Sequence, residues 1–322
     1  MAAAPDFSIT RILELRHLRA GDLDAVLEEE TATWKRTLDW DFQASAALVR
    51  RFVETQSLSG YALLSQGRTI GYCYSVCEDH KGLIGDLYVL AEFASAENEA
   101  RLLNMVVDSL LTTPMVRRIE SQLMMLRNGA RLAFPQWRYL RAYNRNFMEM
   151  PLAGVEDLPT GPAARWCTID SWSGMRHHDA GSLIANAYQG HVDSQINDQY
   201  RSSSGARKFL LNVVQYPGCG SFFQPASFVA IDGRSRQMCG MCLSSLVSPD
   251  VGHITQVCVS RAVRGQGVGY ELMRRSLQAL ARHGCRNVSL TVTACNSEAI
   301  HVYEKLGFRK VREFAAHVWD GF

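Results

Sequence analysis

One stretch of this chain occurs twice, and the repeat limits the fold more than any other feature. ITQVCVSRAVRGQGVGYEL, from Ile254, aligns without gaps to IGDLYVLAEFASAENEARL, from Ile84, at an offset of 170. Val259 falls on Val89 and Leu272 on Leu102. Upstream, SFVAIDGRSRQMCGMCL parallels GYALLSQGRTIGYCY at an offset of 169, with Gly240 on Gly71 and Cys242 on Cys73. Between the copies lies PLAGVEDLPTGPAA, whose proline and glycine content marks a linker. The expected organisation is a domain over residues 1–150, a linker over 151–164 and a domain over 165–322. A length of 322 residues agrees with two domains.

Each half has the coarse order strand, two helices, three strands, helix, strand, helix and strand, which predicts an α/β layer fold. In the second half the strands are expected near Trp166–Ser171, Phe228–Ile231, Gln237–Val247, Gly252–Val259, Asn287–Thr293 and Arg309–Val318. Val268, Leu272, Met273, Leu277 and Leu280 recur at helical spacing, with Arg274, Arg275 and Gln278 expected to face outward. Gly284 closes that helix as a C-cap.

Charge excludes some partners. The 34 basic and 32 acidic residues are interspersed, without the basic stripe that a phosphate backbone requires, so no nucleic acid is expected. No stretch approaches the ~20 apolar residues of a membrane span, and MAAAPDFSIT lacks the basic and apolar regions of a signal peptide. Neither membrane association nor export is expected, and the cytosol is the expected location. The 9 cysteines form no framework, which fits free thiols. Cys239 and Cys242 make a CxxC, but on an expected strand, where thiols three residues apart face opposite sides. With no second pair and no nearby histidine, no metal site is expected.

The chemistry begins at Val257–Gly269, VCVSRAVRGQGVG, where an apolar strand turns into the helix. Gly265, Gly267 and Gly269 let the backbone approach a ligand closely, and a helix N-terminus favours an anion. A pyrophosphate is the expected guest. The dinucleotide-binding fingerprint fails here, because it should follow the first strand of a βαβ unit.

A second block, TVTACNSEAIHVYEKLGF, follows the helix. Together the blocks resemble the GNAT superfamily of acyl-CoA N-acyltransferases. Arg264, Gly265, Gln266, Gly267, Val268 and Gly269 fit its Q/R-x-x-G-x-G/A loop. Asn296, Ala299, Tyr303, Leu306, Gly307 and Phe308 fit its N-x-x-A-x-x-x-Y-x-x-x-G-F segment. The resemblance is specific for Phe228 to Phe308 and faint in the first half. It implies two tandem GNAT-like domains, each a mixed, mostly antiparallel sheet flanked by helices, similar in arrangement to mycothiol synthase. It also implies acetyl-CoA as co-substrate, no metal, backbone pairing of Val257, Cys258 and Val259 with the pantetheine arm, and a hydrogen bond from Asn296 to that arm. As Asn before a helical run, Asn296 is equally a helix N-cap.

Acyl transfer from a thioester needs a neutral amine and a proton for the departing thiolate. Tyr303 matches the family tyrosine that supplies this proton, although on its helix it also suits simple packing. For the base, the family's histone acetyltransferases carry a glutamate where this chain has His253. An imidazole suits that task, with Asp250 and Glu298 as substitutes and a surface histidine as the plainer alternative. His191, Asp193 and Asp198 lie in the polar stretch where the family shapes its acceptor pocket, and either attract a cationic amine or form a solvated loop.

The first half looks disarmed. Under the repeat, Arg264, Gly265, Gly267 and Gly269 correspond to Ala94, Ser95, Glu97 and Glu99, which places carboxylates where a pyrophosphate would sit. His253 corresponds to Leu83, and loosely Tyr303 to Pro135. The expected function is transfer of acetyl from acetyl-CoA to a primary amine of a small molecule. A protein or peptide N-acetyltransferase and a non-catalytic acetyl-CoA sensor are the alternatives. Acceptor, acyl chain and oligomeric state stay open.

Overall fold

The computed structural model describes residues 10–216 and 218–322, so residues 1–9 of the expected first domain lie outside the described residues. The chain divides into two compact units. One runs to Tyr143 and takes back Phe314–Phe322; the other is Asn144–Glu313. The segment 151–164, expected as a linker, therefore lies within the second unit.

The first unit contains β1 (Thr10–Glu14), α1 (Asp24–Leu38), α2 (Gln43–Glu54), β2 (Ser59–Ser65), β3 (Arg68–Glu78), β4 (Lys81–Val89), α3 (Ala96–Thr112) and β5 (Arg118–Gln122). The strands lie in chain order, antiparallel except that β4 and β5 run parallel. Ala316–Asp320, near the chain's end, pairs antiparallel with Arg118–Gln122. The helix expected before the last strand of this half is absent: Gly129–Arg131 and Trp137–Tyr139 form short 3-10 turns instead. Gly129 and Pro135 interrupt the run, and no helical stripe of apolar residues offsets them.

The second unit is entered along β6 (Leu140–Pro151). There follow β7 (Cys167–Ser171), α4 (His177–Tyr188), a single turn α5 (Asp193–Ile196), α6 (Ser203–Gln215), the short β8 (Ser221–Phe222), β9 (Phe228–Asp232), β10 (Met238–Ser248) and β11 (Val251–Val259). α7 (Val268–His283), β12 (Asn287–Thr293), α8 (Ser297–Leu306) and β13 (Arg309–Asp320) complete the chain. The six expected strands of this half all form, each within two residues of its expected ends. The sheet order is β6-β12-β11-β10-β9-β7, with β8 on β10. Leu272, Leu277 and Leu280 of α7 are fully buried on one face, and Ile184 of α4 and Leu210 of α6 on the other. Each such side chain contributes about 2 kcal/mol by leaving water.

The repeat survives in the backbone. Gly85 is skipped between the pairs Ile84↔Ser75 and Asp86↔Tyr74. Thr255, 170 positions later, is skipped between Ile254↔Ser244 and Gln256↔Leu243. Parallel pairing to the next strand covers only Lys81–Ile84 in one copy and Val251–Ile254 in the other. A bulge bends its strand, and in both copies pairing to the parallel neighbour stops at the bulge.

Two expectations about side chains change. Arg274 and Gln278 are buried rather than outward-facing, because residues 151–164 lie along α7 as a strap. Gln278 donates to the carbonyls of Val155 and Glu156, each at 3.3 Å, the Tyr270 hydroxyl donates to Pro159 O at 2.9 Å, and Gly161 N donates to Glu271 at 2.9 Å. Glu271 in turn accepts from Arg274 at 2.6 Å. Cys239 and Cys242 share one core cluster rather than opposite faces. The register shift between Met238 and Gly240 inserts Cys239 as an extra residue and reverses its side.

Candidate active site

The site begins where β11 leaves β12. Ser260 N donates to Cys239 O on β10 at 2.8 Å, so by strand alternation the polar backbone groups of Cys258 also face β10. Those of Val257 and Val259 point the other way, toward the edge that pairs with β12 only as far as Ile254. Of the three residues expected to pair with an extended ligand, Val257 and Val259 therefore turn backbone groups to that edge, where the Val257 carbonyl already accepts from the Tyr188 hydroxyl, and Cys258 does not. Its side chain is buried in the core with α4 and α6.

Beyond the strand, the chain makes a 3-10 turn at Arg261–Val263 and enters α7 through Gly265 at φ 73° and Gly267 at φ 85°. Both lie in the left-handed region that glycine tolerates. No side chain caps α7, and the amides of Gly265, Gly267, Val268 and Gly269 find no acceptor among the described residues. A concave row of free donors at a helix N-terminus suits an anion. Two side chains of this loop are otherwise engaged. Arg264 donates to Ala187 O at 2.6 Å, and Arg261 to Gln189 O, so both hold the C-terminal end of α4. Gln266 bonds within the loop, to Ala262 O at 3.4 Å, and Val268 is core.

Aromatic residues line the free edge. The Tyr188 hydroxyl donates to Val257 O at 3.2 Å and accepts from Gln256 Nε2 at 2.9 Å. Gln256 Oε1 accepts from the Tyr200 hydroxyl at 3.1 Å, and the two tyrosine rings stack with centroids 4.5 Å apart. Burial pushes both phenols above their ordinary range, so they stay protonated.

A charged cluster faces this edge from α5, β6 and β12. Asp193 accepts from the Thr293 hydroxyl and has Arg145 Nη1 at 3.6 Å. Arg145 is set by the register Thr293↔Arg145 and donates to Thr291 Oγ1 at 3.1 Å and Thr293 Oγ1 at 3.3 Å. His191 Nδ1 lies 3.7 Å from Asp193 Oδ2, and its Nε2 lies 3.4 Å from Asn296 Nδ2. Asn296 caps α8, accepting from Ala299 N at 3.3 Å, which is the plainer of its two expected roles. Tyr303, on α8, packs edge-on to Phe308 and makes no hydrogen bond through its hydroxyl among the described residues. Burial first, then Cys242 and Asp193, raise its pKa, while Arg145 opposes them. Asp198 falls in the following turn, Asp198–Arg201. Arg145 escaped sequence analysis because it lies in the half assigned to the other domain.

His253 does not join this cluster. It is 3% exposed, packed between β10 and β12, with Nδ1 2.9 Å from Ser289 Oγ. Burial pushes its pKa down to about 3. A base that must take a proton from an ammonium near neutral pH needs both access and a pKa near that range, so the expectation of His253 as base is corrected. Of its substitutes, Asp250 is paired with Arg286 at 2.5 Å, and Glu298 is an exposed residue in the first turn of α8.

The corresponding region of the first unit is closed by its own residues. Ser95 caps α3 by accepting from Asn98 N at 3.1 Å. Glu99 occupies the amides of Arg127 at 3.1 Å and Asn128 at 3.0 Å. Glu30 is fully buried, accepting from the Tyr72 hydroxyl at 2.8 Å, and its carboxyl is raised well above the usual range by burial and by the neighbouring Asp86.

Residues 195–308 match the model of the Acetyltransferase (GNAT) family. Over 61 residues the chain is 46% identical to a mycothiol acetyltransferase of Corynebacterium glutamicum, covering 19% of this chain and 21% of that protein. Over 71 residues it is 34% identical to an N-alpha-acetyltransferase of Sulfurisphaera tokodaii, covering 22% of this chain and 42% of that one. The alignments thus span about a fifth and two fifths of these relatives. Among solved structures, a GCN5-related N-acetyltransferase from Sphaerobacter thermophilus superposes with a TM-score of 0.66 at 18% identity, covering 98% of this chain and 96% of that one. A tandem GNAT protein from the clavulanic acid biosynthesis pathway gives 0.61 at 16%, covering 96% and 98%. These two likenesses establish the fold over both halves. Among the described residues no helix is long and apolar enough to cross a membrane, and no group of His, Cys, Asp and Glu could hold a metal.

Proposed function

We propose that the chain is a tandem-domain GNAT acetyltransferase, whose family model matches residues 195–308, and that its second unit moves acetyl from acetyl-CoA to a primary amine of a small molecule by direct transfer. The observation that carries the reading is the free β11 edge at Val257 and Val259 leading into the uncapped glycine turn. An extended amide-bearing arm adds to such an edge as another strand would. The amides of Gly265, Gly267, Val268 and Gly269 then meet a pyrophosphate, and Asn296 lies beside the path of the arm.

Bound acetyl-CoA supplies an activated thioester carbonyl and a thiolate leaving group. Tyr303, kept protonated by burial, donates the proton that a departing thiolate needs. Asp193 supplies negative charge for a cationic acceptor, and Arg145 and Thr293 hold it in place. The named relatives include a mycothiol acetyltransferase and an N-alpha-acetyltransferase. The small-molecule reading rests on the higher identity to mycothiol acetyltransferase, 46% over 61 residues against 34% over 71 for the N-alpha-acetyltransferase.

The experiment is an acceptor screen following CoA thiol release with the full chain. Turnover of small primary amines supports the reading. Turnover restricted to peptide N-termini replaces the acceptor class, and binding of acetyl-CoA without turnover of any amine replaces the enzyme with a sensor.

A further inference from the structure

We propose that the Tyr188 hydroxyl, which holds the Val257 carbonyl in the free protein, stabilises the negative charge that develops on the thioester oxygen during acetyl transfer. The assignment rests on the acetyl-transfer reading above. Attack on a thioester moves an electron pair onto that oxygen, and donors already aimed at it are a large part of catalysis. The backbone gives one such donor. Val257 N faces the free β11 edge, beyond the last pairing with β12 at Ile254, and has no acceptor among the described residues.

Tyr188 stands next to that amide, its hydroxyl donating to Val257 O at 3.2 Å. In an extended residue the backbone N and O that face one neighbour lie roughly 3 Å apart, by standard bond lengths. A group bonded to Val257 N and a group bonded to Val257 O are therefore neighbours. A thioester oxygen accepting from Val257 N comes within hydrogen-bond reach of the Tyr188 hydroxyl.

The phenol has a single proton to give. In the free protein Val257 O takes it. The amide N–H of acetyl-CoA nearest the sulfur stands two methylenes from it, so Val257 O can accept from that N–H while Val257 N donates to the thioester oxygen. The Tyr188 proton is then released from Val257 O, and rotation about the phenol C–O bond turns it to the thioester oxygen. A hydrogen bond to an ionised acceptor is about twice as strong as one to a neutral carbonyl. The contact therefore strengthens as charge develops and favours the transition state over bound substrate.

The phenol oxygen itself is fixed in advance. It accepts from Nε2 of the buried Gln256 at 2.9 Å, and Gln256 Oε1 accepts from the Tyr200 hydroxyl at 3.1 Å. The Tyr200 ring stacks on that of Tyr188 with centroids 4.5 Å apart, and His191 stands edge-on to it at 5.3 Å. Burial first, then Tyr200, Asp193, Cys258 and Tyr303, push the Tyr188 phenol above its ordinary range, so it enters the reaction as a donor.

The step balances. The neutral amine nitrogen forms the C–N bond as the carbonyl π pair moves to oxygen, where Tyr188 O–H and Val257 N–H donate without giving up a proton. The pair returns as the C–S bond breaks. Sulfur takes the Tyr303 proton, the new amide nitrogen releases its surplus proton to solvent, and Tyr303 regains one from solvent.

The test uses the full chain with one amine accepted by the wild type. Tyr188→Phe keeps both ring contacts and should lower kcat by about 10²–10³-fold, the loss found when one such donor is removed. The acetyl-CoA Kd, by calorimetry, should weaken by no more than ~2-fold, because no hydroxyl then competes for Val257 O. Infrared difference spectra of bound acetyl-CoA, isotope-labelled at the thioester carbonyl and without acceptor, give a readout independent of turnover. The carbonyl band should lie at higher wavenumber in Tyr188→Phe than in the wild type, since a donor to the oxygen weakens the C=O bond. A wild-type kcat, an unmoved band or a Kd weakened in proportion to the lost turnover overturns the proposal and leaves the acetyltransferase reading intact. Should the variant fail to fold, 3-fluorotyrosine at position 188, with its more acidic hydroxyl, should lower the band below that of the wild type, and an unmoved band overturns the proposal equally. A wild type that binds acetyl-CoA and acetylates no amine overturns both.

Discussion

Gly267 backs directly onto Pro162: a Cβ on this left-handed glycine would lie 2.7 Å from the proline Cγ. The strap of residues 151–164 thus reaches the anion loop as well as α7. Gly267→Ala should therefore lose stability, from a strained φ and from displacement of the strap, and lose acetyl-CoA affinity with it. The strain alone is about 1 kcal/mol. Gly269 differs. Its φ is ordinary and its nearest neighbour is Val259 Cγ2 at 3.6 Å, so Gly269→Glu should keep the melting temperature while placing a carboxylate in the first turn. Melting curves beside calorimetric titration check both. A Gly269→Glu variant that binds acetyl-CoA as the wild type does would mean that the pyrophosphate sits elsewhere.

Stoichiometry should be one acetyl-CoA per chain. In the first copy Ser95 already caps α3 by accepting from Asn98 N, and Glu97 and Glu99 place two carboxylates in its first turn, Glu99 accepting from the amides of Arg127 and Asn128. Calorimetry that returned two equivalent sites would contradict the closed state of that unit.

The repeat was legible because both copies keep the same bulge, at Gly85 and Thr255, and strand ends follow from alternation and turn residues. The glycine turn was legible because a left-handed backbone demands a particular residue. Arg145 and the return of Phe314–Phe322 to the first unit were not, since strand order in a sheet is a matter of non-local pairing that local patterns do not encode. The strap escaped for a related reason: Pro159, Gly161 and Pro162 carry a turn composition, and nothing local records that Glu271 and Gln278 await them. His253 misled because an imidazole on a strand reads alike whether solvent or Ser289 meets it.

Stability should fall with acidification above the range in which ordinary carboxylates titrate. His317, in the first unit, stacks on Phe134 at 4.2 Å, and its buried Nδ1 has no partner among the described residues. Burial pushes its pKa down to about 4. Unfolded, the ring takes a proton below pH ~6.5; folded, it does not until about pH 4. Between those values the unfolded state holds the extra proton, so stability is lost as pH falls through that window, at up to ~1.4 kcal/mol per pH unit. His253 acts in the same direction. Denaturant unfolding across pH 4–7 should show a shallower slope in His317→Phe than in the wild type; equal slopes would mean that the folded ring already carries its proton.

Tyr303→Phe separates catalysis from packing more cleanly than most tyrosine deletions. Since the hydroxyl makes no hydrogen bond among the described residues, removing it breaks no bond in the free protein, and the edge contact to Phe308 at 6.0 Å keeps its ring partner. Folding stability should change by less than ~0.5 kcal/mol, because no buried partner is left unsatisfied. Acetyl-CoA affinity should hold as well, as the backbone of β11 and the glycine turn carry the binding. Turnover should fall about 10²-fold, the lower range for a positioned acid, with kcat and kcat/KM reduced together. Burial keeps the phenol above its ordinary pKa, so the wild type should show no alkaline loss from this group below pH ~10. A variant with wild-type kcat would return Tyr303 to the core, and the proton would then reach the sulfur from water.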